Sequence, residues 1–263
     1  MKIKKLICIG ILGIFCAVSA VGCGKKENTK TTTEASSEED TQEASTQVFA
    51  MDTYMNLKAY GKNAQKAVDD AKSEIERLDK LWSAVDENSE IYQLNQKKKM
   101  KVSDETLELI EFAKKKSAQS GDAFDISIYP IVELWGFPTQ KYRVPSDSEI
   151  KSLLKNVDCQ KIKVNKKTNV VTLEKNMKID LGGIAKGYTS QRIAKVYKED
   201  GVKSGVISLG GNVQAIGKKT DGSYWKVGVQ SPDDTENMIG AYEADDEAVI
   251  TSGAYRGISG KME

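Results

Sequence analysis

Asp180-Leu181-Gly182-Gly183-Ile184-Ala185-Lys186-Gly187-Tyr188 joins an apolar run, Met177 to Leu181, to a segment of helical spacing that stops before Gly201. The run reads as a short strand bearing a carboxylate near its end. The paired glycines read as the turn into a helix from roughly Ile184 to Tyr197. A strand, a Gly pair and a helix N-terminus let backbone N–H groups approach an anion closely. Lys186 adds a cation, and Asp180 adds an acceptor for a hydroxyl or a base edge. The stretch therefore reads as a site for a phosphorylated ligand. The common nucleotide loops are missing: there is neither a G-x-x-x-x-G-K-S/T nor a G-x-G-x-x-G in a βαβ setting.

The flanking sequence supplies the elements that such a site needs around it. Val48 to Tyr60 alternates as a first strand. Ala64, Ala67, Val68, Ala71, Ile75, Leu78 and Trp82 recur at helical spacing and predict an amphipathic helix over 62–82. Ser103 is placed to cap a second helix that runs to Gly121. Ser146-x-x-Glu149 is a capping box opening a short third helix through Leu154. Lys161 to Val164 and Val170 to Leu173 read as a hairpin, and Val206 to Leu209, Trp225 to Gln230 and Ala248 to Thr251 as further strands. Strands joined by hairpins with helices set between them predict an α+β fold, a single domain of mixed, mostly antiparallel sheets with packed helices.

Composition narrows the chemistry. The 263 residues are 39% hydrophobic and 29% charged, and hold enough chain for one domain with a real core. A formal net charge of +1 gives no reason to invoke nucleic acid. Histidine is absent, which removes Ser-His-Asp and Cys-His catalysis and His-ligated zinc. Any metal is expected to be a hard cation on oxygen ligands. Cys8, Cys16 and Cys23 fall in the first 23 residues, so Cys159 alone belongs to the domain, where it reads as a packed small side chain.

The N-terminus reads as an address. Lys2, Lys4 and Lys5 precede an apolar run from Leu6 to Val21, and Ala20-Val21-Gly22-Cys23 ends it with small residues before a cysteine. Residues 1–22 resemble a bacterial lipoprotein signal peptide, with Cys23 the lipidated first residue. Residues 23–47 read as that cysteine and a Ser/Thr/Glu-rich tether, and 48–263 as the domain. The expected location is the cell membrane, by lipid anchor on its extracytoplasmic face.

Further stretches pair Gly or a small residue with one polar group: Met51-Asp52-Thr53, Gly121-Asp122-Ala123-Phe124-Asp125 ahead of Leu134-Trp135-Gly136-Phe137, and Gly210-Gly211-Asn212. With Asp86 to Ile91, Asp180 to Tyr188, Trp225 to Gly228 and Thr251 to Arg256, they stand in an order that resembles the ApbE-type FAD:protein FMN transferases. The resemblance implies Mg²⁺-dependent transfer of FMN from FAD to a Thr or Ser hydroxyl of an acceptor redox protein, with release of AMP. It implies FAD contacts from Met51, Ala123, Phe124, Asp125, Asp180 and Lys186, and a carbonyl oxygen from Gly183 to Mg²⁺. It assigns no catalytic acid or base. Val85 falls where many members carry an aromatic or polar residue near the adenine.

The family pattern continues past Ser-Gly-x-Tyr-Arg with a His-containing strand and an Asp/Thr-bearing helix that complete the metal site, whereas this sequence stops at Glu263. The expectation on these grounds is a C-terminally incomplete transferase domain that binds Mg²⁺ weakly and transfers FMN poorly. Two other readings remain open at this stage: an FAD pyrophosphatase giving FMN and AMP, and a non-catalytic flavin-binding lipoprotein.

Overall fold

A computed structural model describes residues 41–234 and 236–252. The signal segment, Cys23, most of the tether and the end of the Thr251–Arg256 stretch lie outside the described residues.

The first expected strand is in fact a hairpin. β1 (Glu43–Ala50) pairs antiparallel with β2 (Thr53–Tyr60), with Ala50 opposite Thr53. Met51 and Asp52 form the two-residue turn, and both have positive φ, 48° and 58°. Such turns match the right-handed twist of the strands they join. The apolar alternation runs through the turn without a Gly or Asn to mark it, so the sequence reads as one strand. β1 also begins before Val48. Ala44 and Val48 are buried on its inner face, so residues 43–47 belong to the sheet and not to a tether.

α1 (Ala64–Trp82) follows as expected and buries the seven apolar positions of its stripe. α2 (Glu90–Lys97), capped by Ser89, and β3 (Lys99–Lys101) were not legible as elements. α3 (Asp104–Gln119) is capped by Ser103, whose hydroxyl accepts from the Thr106 N–H. α4 (Tyr129–Leu134) precedes α5 (Asp147–Leu154), which opens on the expected capping box of Ser146 and Glu149. β4 (Lys163–Asn165) and β5 (Val170–Thr172) make the expected hairpin. α6 (Gly182–Glu199) leads to β6 (Ser204–Leu209), β7 (Asn212–Ile216), β8 (Trp225–Gln230), β9 (Met238–Ala244) and β10 (Ala248–Ile250).

The strands form a five-stranded sheet in the order β1-β2-β6-β7-β10, a three-stranded sheet β3-β5-β4 and a separate β8-β9 hairpin. Among the described residues every pairing between these strands is antiparallel. The fold is α+β, as expected. α1 and α6 lie on the inner face of the large sheet, where Met55, Leu57, Ile207 and Leu209 meet Ile75, Ile193 and Tyr197. Gly205 leaves the slot that the Tyr197 ring enters: a Cβ there would stand 2.7 Å from the Lys58 carbonyl oxygen and 3.1 Å from the ring. A second core gathers Leu78, Trp82, Ile91, Leu94, Ile110, Ile126, Val171, Ile179 and Leu181 around α2, α3 and the small sheet. α1 contributes to both.

Met177 to Leu181 is not a strand. Its one ladder contact is an isolated parallel bridge between Ile128 and Lys178. The side chains of Asn95 and Lys98 and the carbonyls of Glu174 and Ile126 satisfy its backbone instead. α6 begins at Gly182, two residues before the expected start, so the Gly pair is the first helical turn and not a loop ahead of it.

Candidate functional site

The β1–β2 turn, the C-terminal half of α1, α4 and the start of α6 converge on a cavity of about 560 Å³. Met51 and Asp52 of the turn, Asp79 and Trp82 of α1, and Asp180, Gly182, Ala185 and Lys186 at the start of α6 form its walls. Phe49, Val85 and Phe137, all substantially exposed, ring the mouth. A larger groove of about 1080 Å³ runs along α3, α6, β7 and β10, but none of the sequence-predicted site residues lines it.

Each wall is fixed by local chemistry. The Met51 N–H donates to Asp79 Oδ1 at 2.9 Å, which holds the left-handed turn against α1. Met51 packs against both cores, and its sulfur accepts weakly from Thr189 Oγ1 at 3.8 Å. Ser83 Oγ accepts from the Val85 and Asp86 N–H groups and so sets the loop that carries Val85 to the rim. The Tyr129 hydroxyl donates to the Ala84 carbonyl at 3.3 Å. Burial, with help from Glu133 and Asp180, pushes that phenol up to about 12, so it remains a neutral donor.

At the helix end, Asp180 Oδ1 accepts from the Gly182 N–H at 2.7 Å. The Ile184 and Ala185 N–H groups both donate to the Leu181 carbonyl, at 2.9 and 2.8 Å. The Gly183 N–H is therefore the first-turn donor not committed to Asp180 or Leu181. An α-helix N-terminus with a free amide and a nearby lysine favours an anion. Lys186 has no ion-pair partner among the described residues.

Met51, Asp180 and Lys186 thus share one cavity. Ala123, Phe124, Asp125 and Gly183 are not among its lining and sit beside it. The Phe124 ring lies over Gly183, where an added Cβ would come within 3.1 Å of it. The Asp180 N–H donates to the Ile126 carbonyl at 2.8 Å, tying the two segments together. Asp125 is committed internally: Oδ1 accepts from the Ser127 N–H and hydroxyl at 2.7 and 2.6 Å, and Oδ2 from the Cys159 N–H at 2.9 Å. Cys159 is buried, and burial pushes its thiol up, in keeping with a packed side chain.

Sequence reasoning missed Asp79 and Asn95. Asp79 flanks the apolar stripe of α1, between Leu78 and Trp82, and that placement was the available signal. Asn95 lies in an unexpected helix. Its side chain bonds both backbone groups of Ile179, donating to the carbonyl at 2.8 Å and accepting from the N–H at 2.7 Å.

The family model described as the ApbE family matches residues 51–261. The chain belongs to the ApbE family. Among curated relatives, an FAD:protein FMN transferase of Klebsiella pneumoniae strain 342 is 30% identical over 186 residues, which cover 69% of this chain and 57% of the relative. The namesake in Escherichia coli strain K12 is 25% identical over 193 residues, 70% of this chain and 55% of the relative. The chain spans somewhat over half the length of these relatives. The crystal structure of the ApbE protein of Thermotoga maritima superposes with a TM-score of 0.76 at 30% identity, over 81% of this chain and 71% of that one. The flavin transferase ApbE of Vibrio cholerae gives a TM-score of 0.73 at 22% identity, over 84% and 75%, a likeness of fold.

Among the described residues no cluster of three or more His, Cys, Asp or Glu could hold a metal. The donors at the α6 end of this ApbE chain are oxygens, the Asp180 carboxylate and the Gly183 carbonyl. Such a set suits a hard cation shared with phosphate oxygens and water, the usual manner of Mg²⁺, and not a self-contained protein cage.

Proposed function

We propose that this chain transfers the FMN moiety of FAD to a Thr or Ser hydroxyl of an acceptor redox protein, with Mg²⁺ and with release of AMP. The observation that carries the reading is the meeting of Met51, Asp180 and Lys186 in one cavity at the N-terminus of α6, in a chain of the ApbE family.

In this reaction the acceptor oxygen forms a bond to the FMN-side phosphorus. The pyrophosphate P–O bond to AMP breaks, and the bond's electron pair leaves on the AMP phosphate. The hydroxyl proton passes to solvent. The Lys186 ammonium and the α6 N-terminal amides face the charge that grows on the leaving phosphate, and such preorganised donors act most strongly where water is excluded. Asp180, fixed by the Gly182 N–H, offers its other oxygen to a ligand hydroxyl or base edge. Met51 and the exposed Phe49, Val85 and Phe137 supply apolar surface for rings. The Gly183 carbonyl would help to hold Mg²⁺, which would supply Lewis-acid stabilisation of the same charge.

The address-like N-terminus supports a lipid anchor at Cys23 and a place on the extracytoplasmic face of the cell membrane. An acceptor there would be a membrane or extracytoplasmic redox protein.

The test incubates the full chain with FAD, Mg²⁺ and an acceptor protein carrying the hydroxyl. The expected result is flavin fluorescence that stays with the acceptor through denaturation, with AMP in equal amount. Free FMN in place of bound flavin would replace transfer by hydrolysis. Tight FAD binding without AMP would replace both by a binding role.

A further inference from the structure

We propose that Asn95 is a positioning residue for Asp180: an internal amide that stands in for a missing strand and holds the carboxylate-bearing segment in register with α6. The inference rests on the reading of the Asp180–Lys186 cavity as the FAD site.

Residues 177–181 belong to no sheet and make a single isolated bridge, from Lys178 to Ile128. A backbone in that position must find hydrogen-bond partners or carry a desolvation cost. Beside that bridge and the Met177 N–H, which donates to the Glu174 carbonyl at 3.1 Å, three residues supply them. The Lys98 ammonium donates to the Met177 carbonyl at 2.8 Å. The Ile126 carbonyl accepts from the Asp180 N–H at 2.8 Å. Between these, Asn95 alone satisfies both polar groups of Ile179. Asn95 is 2% exposed and Ile179 is fully buried, so water cannot substitute for either bond.

The placement of Asn95 is itself informative. It occupies the i+4 position from Ile91 on the buried stripe of α2, where an apolar side chain would pack without polar cost. An amide there is the neutral group that donates and accepts at once, as a neighbouring strand would. Ile179 is followed directly by Asp180. A shift of Ile179 therefore moves the carboxylate and its bond to the Gly182 N–H, and with it the first turn of α6.

Asn95→Asp keeps the size and the acceptor but loses the donor to the Ile179 carbonyl. Equilibrium FAD binding to the full chain is expected to weaken at least tenfold in this variant. Amide exchange of the 177–184 segment is expected to quicken at least tenfold, while β2 and β6 keep their protection. In an Asp180→Asn background, the same Asn95→Asp change should cost less than twofold in FAD affinity, because the residue it positions no longer acts. An equal loss in both backgrounds, or faster exchange spread over the five-stranded sheet, would overturn the positioning role. Absence of FAD binding by the parental chain would sink the functional reading instead. Exchange then decides the latch by itself, for it if confined to 177–184 and against it if not.

Discussion

Asp125 and Lys186 carry opposite formal charges near the same helix end, and their surroundings assign them different work. Asp125 accepts three bonds from Ser127 and Cys159 and so fastens the loop after α3 to the segment ahead of β4. Lys186 faces the cavity with no ion-pair partner among the described residues. Asp125→Ala should leave buried donors unsatisfied and cost about 2–3 kcal/mol of stability, read as a lowered Tm with FAD affinity falling only as the fold loosens. Lys186→Met should do the reverse. A charge-assisted bond to phosphate is worth about 1.5–3 kcal/mol, so FAD affinity should drop on the order of 10–100-fold with little change in Tm. Calorimetric titration beside thermal melts separates the two outcomes. A Lys186→Met protein that binds FAD as the parent does would remove Lys186 from the site.

Among the elements, those that announce themselves locally were legible in the sequence. α1 shows its stripe, α3 and α5 show their caps, and β4 and β5 show a polar turn. What stayed hidden depends on distant partners. The β1–β2 turn places Met51 at positive φ without a turn residue, and α2 is only eight residues long. The 177–181 segment looks like a strand because Met177, Ile179 and Leu181 alternate as apolar residues, yet its partners are the side chains of Asn95 and Lys98 and the carbonyls of Glu174 and Ile126. Site residues followed the same division: Asp180 and Lys186 were visible from the local motif, Asp79 and Asn95 were not. The α1–α6 junction adds an electrostatic tie of the distant kind. Glu74 on α1 accepts from Arg77 at 2.7 Å and from Arg192 of α6 at 3.1 Å. The Arg77 bond first, then Arg192, holds this carboxyl below its ordinary 4.5. A depressed carboxyl stabilises the fold above its unfolded value, and that contribution is lost as pH falls through the lower folded value. Stability measured by urea unfolding should therefore fall more steeply below pH 4.5 in the parent than in Arg192→Gln. Parallel curves for the two proteins would show that the Arg192 bond does not contribute.

The whole molecule is organised as two cores on one long helix, with the cavity along the seam. Ile75 of α1 belongs to the core under the large sheet, and Leu78, one turn on, to the core around α2 and α3. Met51 packs against both cores and lines the cavity. The walls thus come from elements of different cores: the β1–β2 turn from the sheet, and the Asp180 segment from the helical half. A ligand that bridges these walls adds contacts between the halves that the unfolded chain cannot make. Mass action sets the size of the effect: FAD at a hundred times its Kd should add about 2.7 kcal/mol to the stability of the native state. For a domain of this size that corresponds to a rise in Tm of roughly 5–10 °C. In the proposed function FAD spans both walls, so at equal concentration it should raise Tm more than AMP or FMN alone. Lys186→Met, at the same FAD concentration, should lose most of the rise. Differential scanning calorimetry of the full chain with each ligand reads all of these shifts directly. Equal shifts from AMP and from FAD would mean that one wall does the binding and that the seam is not bridged.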